Sequence, residues 1–184
     1  AMETLLNEHG HTAALDGETA DAVIVNTCAV TAEAGRKSRQ AINRLREENP
    51  DAVVAVSGCY SQLSPDTAEK LGADVVFGSG DRVKLVEAIE NAALKGTHEK
   101  MLDKPFERRM FEELPAGAVA GHTRALLKIQ DGCVNFCTYC IIPYTRGRVR
   151  SLPVEQAAKQ ARELDEKGYR ELVVTGIEVA SYGV

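Results

Sequence analysis

No apolar run in this 184-residue chain approaches the roughly 20 residues that a bilayer-spanning helix needs. No basic, apolar, small-residue leader opens it at Ala1-Met2-Glu3. Membrane insertion and export are therefore not expected, and the expected location is the cytoplasm. No Walker-type or dinucleotide fingerprint is present, which removes those two routes to nucleotide binding. His9, His11, His98 and His122 show no metal-ligand spacing and are expected at the surface. There is no solenoid-type repeat and no low-complexity tract. Positive charge is in deficit, 22 Lys and Arg against 27 Asp and Glu for a net −5. That balance argues against broad non-specific nucleic-acid binding and demands a local basic patch if RNA is a partner. Cysteine is scarce and odd in number, five in all, which suits a reducing compartment better than a disulfide framework.

What is present is concentrated at residues 131–151. Cys133, Cys137 and Cys140 fall within eight residues and cannot all pair as disulfides. The C-x3-C-x2-C spacing lets a short loop turn three sulfurs toward one point, as a soft metal centre requires. Structural zinc and ferredoxin-type clusters normally take four protein ligands, so a triad leaves one metal position open for chemistry. Alternatives remain open at this point. A zinc-stabilised RNA-binding module would need a fourth ligand such as His122 or Cys59, a ferredoxin-like electron carrier would need a fourth cysteine nearby, and Cys137-Thr138-Tyr139-Cys140 alone could be a redox dithiol.

The rest of the chain alternates. Residues 2–9 read as a helix stopped at Gly10, and residues 22–26 as a strand buried on both faces. A helix is expected over 31–48, with Ile42 and Leu45 on its apolar side and a stop at Asn49-Pro50. The cycle repeats as a strand at 52–56, a helix opened by Ser64-Pro65-Asp66, a strand at 74–77 and a helix at 81–95. Alternating strands and helices imply an α/β, doubly wound parallel sheet for residues 1–95. Residues 96–121 read as a linker. From 122 to 184 a strand at 123–129, the cysteine loop, a helix at 153–167 and a strand at 170–175 give the start of a partial (β/α) barrel, with the loop at its carboxyl-end mouth. The helix should bury Val154, Ala157, Ala158, Ala161 and Leu164.

Ligands of open sheets gather beyond the carboxyl ends of strands, and Cys28 and Cys59 each lie just past such an end. They are either neighbours in one cavity or separately buried small hydrophobes. Arg146, Arg148 and Arg150 form the densest basic cluster, either facing phosphate or making a solvated turn. Arg36, Lys37, Arg39, Arg44 and Arg46 are expected on a solvated helix face.

Tyr139 directly before the third cysteine completes C-x3-C-x-aromatic-C. With it, residues 132–151 resemble the radical S-adenosylmethionine enzymes, and among them the methylthiotransferases that modify tRNA adenosines or a ribosomal-protein aspartate. The strings Val25-Asn26-Thr27-Cys28-Ala29-Val30-Thr31 and Ser57-Gly58-Cys59-Tyr60-Ser61-Gln62 resemble two of the three cysteine motifs of that family's amino-terminal domain. The resemblance implies a 4Fe-4S cluster on Cys133, Cys137 and Cys140, S-adenosylmethionine on its open iron, and cofactor contacts from Tyr139, Thr175, Gly176 and Glu178. It also implies a second, auxiliary 4Fe-4S cluster, toward which this chain offers Cys28 and Cys59 while the third ligand is missing. The chain is expected to be truncated at both ends, lacking a first strand and a carboxyl-terminal RNA-binding module. The implied partners are tRNA, met through Arg146, Arg148 and Arg150, and a reductant such as flavodoxin or ferredoxin. The implied reaction adds a methylthio group to a hypermodified adenosine beside the anticodon. The Arg-Gly-Arg-Val-Arg-Ser string resembles the threonylcarbamoyladenosine branch more than the isopentenyladenosine or ribosomal-protein branches.

Overall fold

The computed structural model describes residues 2–15, 18–114 and 123–184. Helix α1 (Met2–Glu8) precedes strand β1 (Ala22–Thr27), α2 (Ala32–Glu48), β2 (Val53–Gly58), α3 (Cys59–Leu63), α4 (Pro65–Lys70), β3 (Val75–Phe77), α5 (Arg82–Lys95) and β4 (Glu99–Met101). The four strands form one parallel sheet in the order β1-β2-β3-β4. The short runs of β1, β2 and β3 lack alternation because helices pack on both faces of the sheet. Val25, Val54, Val56 and Val76 pack on one face against Ile42 of α2, Tyr60 of α3 and Ala68 of α4. Ala55, Val75 and Phe77 pack on the other against Leu85, Ala88, Ile89 and Ala92 of α5. Helices on both faces give the expected α/β architecture.

Local signals explain where the helices start. Thr31 Oγ1 accepts from Ala34 N at 3.0 Å, satisfying one of the amides that open α2. Asp81 does the same for Lys84 N at the start of α5, and Gly96 in the left-handed region closes that helix. The helix expected from Ser64 is preceded by another, since α3 begins at Cys59 directly after β2 and ends at Leu63, with Ser64 between it and Pro65, which opens α4. Residues 96–121, expected as linker, contribute β4. Its Glu99, Lys100 and Met101 pair in register with Val75, Val76 and Phe77. Residues 115–122, which hold the Gly/Ala-rich end of that stretch and His122, lie outside the described residues.

The second unit contains β5 (Arg124–Lys128), β6 (Gln130–Asp131), α6 (Ile142–Arg146), β7 (Arg150–Ser151), α7 (Val154–Glu166) and β8 (Glu171–Thr175). Strands β5 and β8 are parallel, with Lys128 opposite Thr175. Their inner face packs Ala125, Leu127 and Leu172 on Leu164 and Ala161 of α7. Val154, expected on the buried side of α7, is 64% exposed, because the helix meets the sheet only toward its carboxyl end. Strands β6 and β7 form a small antiparallel ladder at the base of the cysteine loop. The two units meet where α6 packs on α3 and on the turn at Pro105–Glu107.

Candidate cluster and cofactor site

The cysteine loop leaves the end of β6 at Gly132, whose φ of +79° and lack of a side chain are both required. A Cβ there would lie 1.9 Å from the Arg148 carbonyl oxygen. Asp131 Oδ1 accepts from Gly132 N at 2.8 Å. The loop itself is held by few backbone bonds, Cys133 N to Gly147 O at 3.0 Å and Cys140 N to Cys137 O at 2.9 Å. Cys133 and Cys140 are half-buried, while Cys137 is exposed and Tyr139 is 89% exposed. Phe136 stacks on Phe106 with centroids 5.9 Å apart and meets Tyr144 edge-on.

The turn that follows β8 stands beside this loop. Thr175 ends the strand and its carbonyl accepts from Ile129 N at 2.9 Å. Gln130, fully buried, spans the gap. Its Oε1 accepts from Glu178 N at 2.8 Å, and its Nε2 donates to Asp131 O at 3.1 Å and Gly132 O at 2.7 Å. The Glu178 carboxylate accepts from Ser181 Oγ.

Two of the three arginines of the basic string are drawn inward. The Arg150 side chain is 4% exposed and that of Arg146 is 19%, because both converge with Lys128 on the buried Asp131, at 3.5, 3.5 and 2.7 Å. Arg150 Nη1 also donates to the carbonyls of Arg146 and Arg148. Burial pushes the Asp131 carboxyl up, but the three cations outweigh it and hold it below the usual carboxylate range. The expectation that all three arginines face RNA is corrected. A buried guanidinium must find an anion, and only Arg148 is exposed. Arg46 departs from its expected solvated face in the same way, binding Asp74, Gly72 O and Ala52 O.

In the first unit Thr27 and Gly58 are register partners, and Cys28 and Cys59 are the next residues on each strand. Neighbouring strands lie about 4.8 Å apart and each further step is about 3.8 Å, so the two Cα atoms are within about 12 Å. The thiols differ in surroundings, Cys59 buried at the start of α3 and Cys28 exposed. Ser38 Oγ pins the Cys28 backbone, accepting from its N–H and donating to its carbonyl. Helix α6, which follows Cys140, packs on α3, which opens at Cys59, and the buried Nε of Arg146 on α6 has no hydrogen-bond partner among the described residues. The two cysteine regions are thus brought to one seam.

Residues 1–78 match the model described as uncharacterized protein family UPF0004, and residues 127–183 match that of the radical SAM superfamily. Over its whole length the chain is similar to the radical S-adenosylmethionine methylthiotransferases. The threonylcarbamoyladenosine tRNA methylthiotransferase MtaB of Bacillus subtilis is 42% identical over 184 residues, covering 100% of this chain and 41% of that protein. Its counterpart from Thermotoga maritima is 37% identical over 183 residues, covering 99% and 41%. The tRNA-2-methylthio-N(6)-dimethylallyladenosine synthase of Thermotoga petrophila is 36% identical over 184 residues, again covering 99% and 41%. The chain therefore spans about two-fifths of the length of these curated relatives.

The UPF0004 and radical SAM families that the two units match imply S-adenosylmethionine and 4Fe-4S clusters, and the donor chemistry fits them. Three thiols share one loop with little backbone restraint, and thiolates are the ligands such clusters take. The expected convergence of sulfurs is not preformed. Among the described residues no three His, Cys, Asp or Glu side chains are arranged to hold a metal ion. Among the described residues no helix is long and apolar enough to cross a membrane. Gln130 and Asp131 were not identified from sequence. Their only signal is adjacency to Gly132-Cys133, because single polar residues carry no periodicity.

Proposed function

We propose that the chain is the cluster- and cofactor-binding part of a tRNA methylthiotransferase that adds a methylthio group to threonylcarbamoyladenosine beside the anticodon. The observation that carries this is the junction of a three-thiol loop and the Thr175–Glu178 turn at the carboxyl ends of one parallel strand pair, joined through Gln130. In this reading Cys133, Cys137 and Cys140 anchor the cluster and leave one iron for S-adenosylmethionine. Bound there, the pair supplies the electron transfer and radical chemistry that the protein's own side chains lack. Gly176, packed on Gln130, holds the turn in place, Glu178 and Thr175 offer polar groups to the cofactor's methionine end, and Tyr139 offers a ring. Cys28 and Cys59 serve the auxiliary cluster. Arg148, exposed beside the loop, meets tRNA phosphate, while Asp131 keeps Arg146 and Arg150 inside. A reductant such as flavodoxin or ferredoxin supplies electrons.

The branch assignment draws on the Arg-Gly-Arg-Val-Arg-Ser string and on the relative at 42% identity, against 36% for a relative named for dimethylallyladenosine. Anaerobic reconstitution followed by iron, sulfide and zinc analysis tests the cluster. Two anticodon-stem RNAs, carrying threonylcarbamoyladenosine or dimethylallyladenosine, test the substrate, with nucleosides read by mass spectrometry. A zinc-loaded, sulfide-free chain overturns the whole reading, and product from the dimethylallyladenosine RNA alone overturns the branch.

A further inference from the structure

Gln130 is a glutamine in a fully buried position where a residue chosen for packing alone would be apolar, since an amide placed there costs free energy unless every polar atom is bonded. All of its partners are backbone groups, and all belong to the two candidate site segments. The amide cannot be flipped. Its oxygen faces the Glu178 N–H at 2.8 Å, and its nitrogen faces the carbonyls of Asp131 and Gly132 at 3.1 and 2.7 Å. Gly176 completes the fit from the other side, because a Cβ there would stand 2.8 Å from both Cβ and Oε1 of Gln130 and 3.1 Å from its carbonyl oxygen. The turn after β8 therefore rests directly on Gln130, with no tolerance for an intervening methyl group.

We propose that Gln130 is a positioning residue that sets the spacing between the cysteine loop and the turn at 176–178, and so fixes how S-adenosylmethionine spans the two. The inference rests on the cofactor reading given above. Gln130 touches neither cluster nor cofactor. It acts by tying Gly132, the residue before Cys133, to Glu178 through one rigid amide. A ligand that must contact both segments at once binds well only when their separation is held in advance.

The test uses the full 184-residue chain, reconstituted anaerobically with iron and sulfide, in three forms: unsubstituted, Gln130→Met and Gly176→Ala. Gln130→Met keeps the volume and removes the three bonds. Gly176→Ala keeps the bonds' chemistry and pushes the turn away, so it remains informative where Gln130→Met fails to fold. Each form is assayed for iron and sulfide, then reduced and titrated with S-adenosylmethionine by electron paramagnetic resonance. The expected result is unchanged iron and sulfide in the variants, an altered spectrum at saturation, and a half-saturating cofactor concentration raised about ten-fold or more, the scale of losing buried hydrogen bonds. Unchanged half-saturation and spectrum in either folded variant overturns the proposal. Loss of iron from folded variants also overturns it, because Gln130 would then support the cysteine loop alone. An unsubstituted chain that takes up iron and sulfide but gives no response to S-adenosylmethionine fails earlier, at the cofactor reading, and removes this proposal with it.

Discussion

Replacing Asp131 with Asn probes the ionic knot under the cysteine loop. The carboxylate faces Lys128 Nζ at 2.7 Å and the guanidinium groups of Arg146 and Arg150 at 3.5 Å each. At an effective dielectric of about 20 each pair is worth roughly 5 to 6 kcal/mol before desolvation is subtracted. The amide keeps the oxygen that accepts from Gly132 N, so the loop's first turn retains its bond while the charge disappears. Three cations are then left to repel one another, Arg150 with almost no access to water. Breaking a buried pair in this way costs about 3 to 5 kcal/mol, which in a chain of this size lowers the melting midpoint by roughly 6 to 20 °C. Thermal and urea unfolding of the metal-free chain, followed by circular dichroism, measures this. The double variant Asp131→Asn with Arg150→Met should be less destabilised than the sum of its single variants, because removing a cation relieves the repulsion. A midpoint that moves by less than about 3 °C, roughly 1 kcal/mol, or a strictly additive double variant, would refute the view that Asp131 organises these side chains.

Replacing Cys133, Cys137 or Cys140 singly with Ala should abolish both the oxygen-sensitive chromophore of this cluster and reductive cleavage of S-adenosylmethionine, since each is one of only three anchors; cleavage retained by any one variant removes the assignment. Arg148→Gln should lower the log–log salt slope of tRNA affinity by about one unit without altering the melting midpoint, whereas Arg150→Gln should lower the midpoint; the reverse pattern would contradict the burial described. For Asp103, burial pushes the carboxyl up, but the hydrogen bond and the charge of Arg108, joined by Arg150 and a backbone hydrogen bond, together outweigh this and leave it lowered. Its contribution to stability should therefore be complete above the unfolded value near pH 4 and fade as pH falls through the lowered folded value. Stability profiles of the native chain and Asp103→Asn should run parallel above about pH 5 and converge only in acid; convergence at neutral pH would be the wrong sign.

The parts of the fold legible in sequence are those written as apolar runs. β1, β2 and β3 are rich in β-branched residues, β2 and β3 buried on both faces and β1 partly so, and α2 carries its Thr31 cap and its Ile42 stripe in plain order. β4 was not legible because Glu99 and Lys100 look like solvent-facing residues; the strand exists because the free edge of β3 recruits it, and its own residues stay mostly exposed. The cysteine triad was legible because ligand spacing is a local property. The burial of Arg146 and Arg150 was not, since a string of arginines looks the same whether it faces water or a carboxylate 15 and 19 residues upstream. Gln130 illustrates the limit most clearly. Its role depends on a turn 46 to 48 residues away, which only the parallel pairing of β5 with β8 brings near.

Arg108 has a consequence for how the chain comes apart. Its side chain, 11% exposed, donates to Gln62 Oε1 at 3.1 Å, to Ser79 Oγ at 2.8 Å, to Thr145 O at 3.3 Å and to Asp103, while Ser79 Oγ donates to Thr145 O at 2.5 Å. One guanidinium thus ties the first sheet, the segment after it and the helix beside the cysteine loop. Two units of this size joined by a loose tether would open separately, each with its own protection of backbone amides from solvent exchange. Stitched at this point, they lose that independence, and amides in β2 and in β5 should become exchangeable in the same opening event.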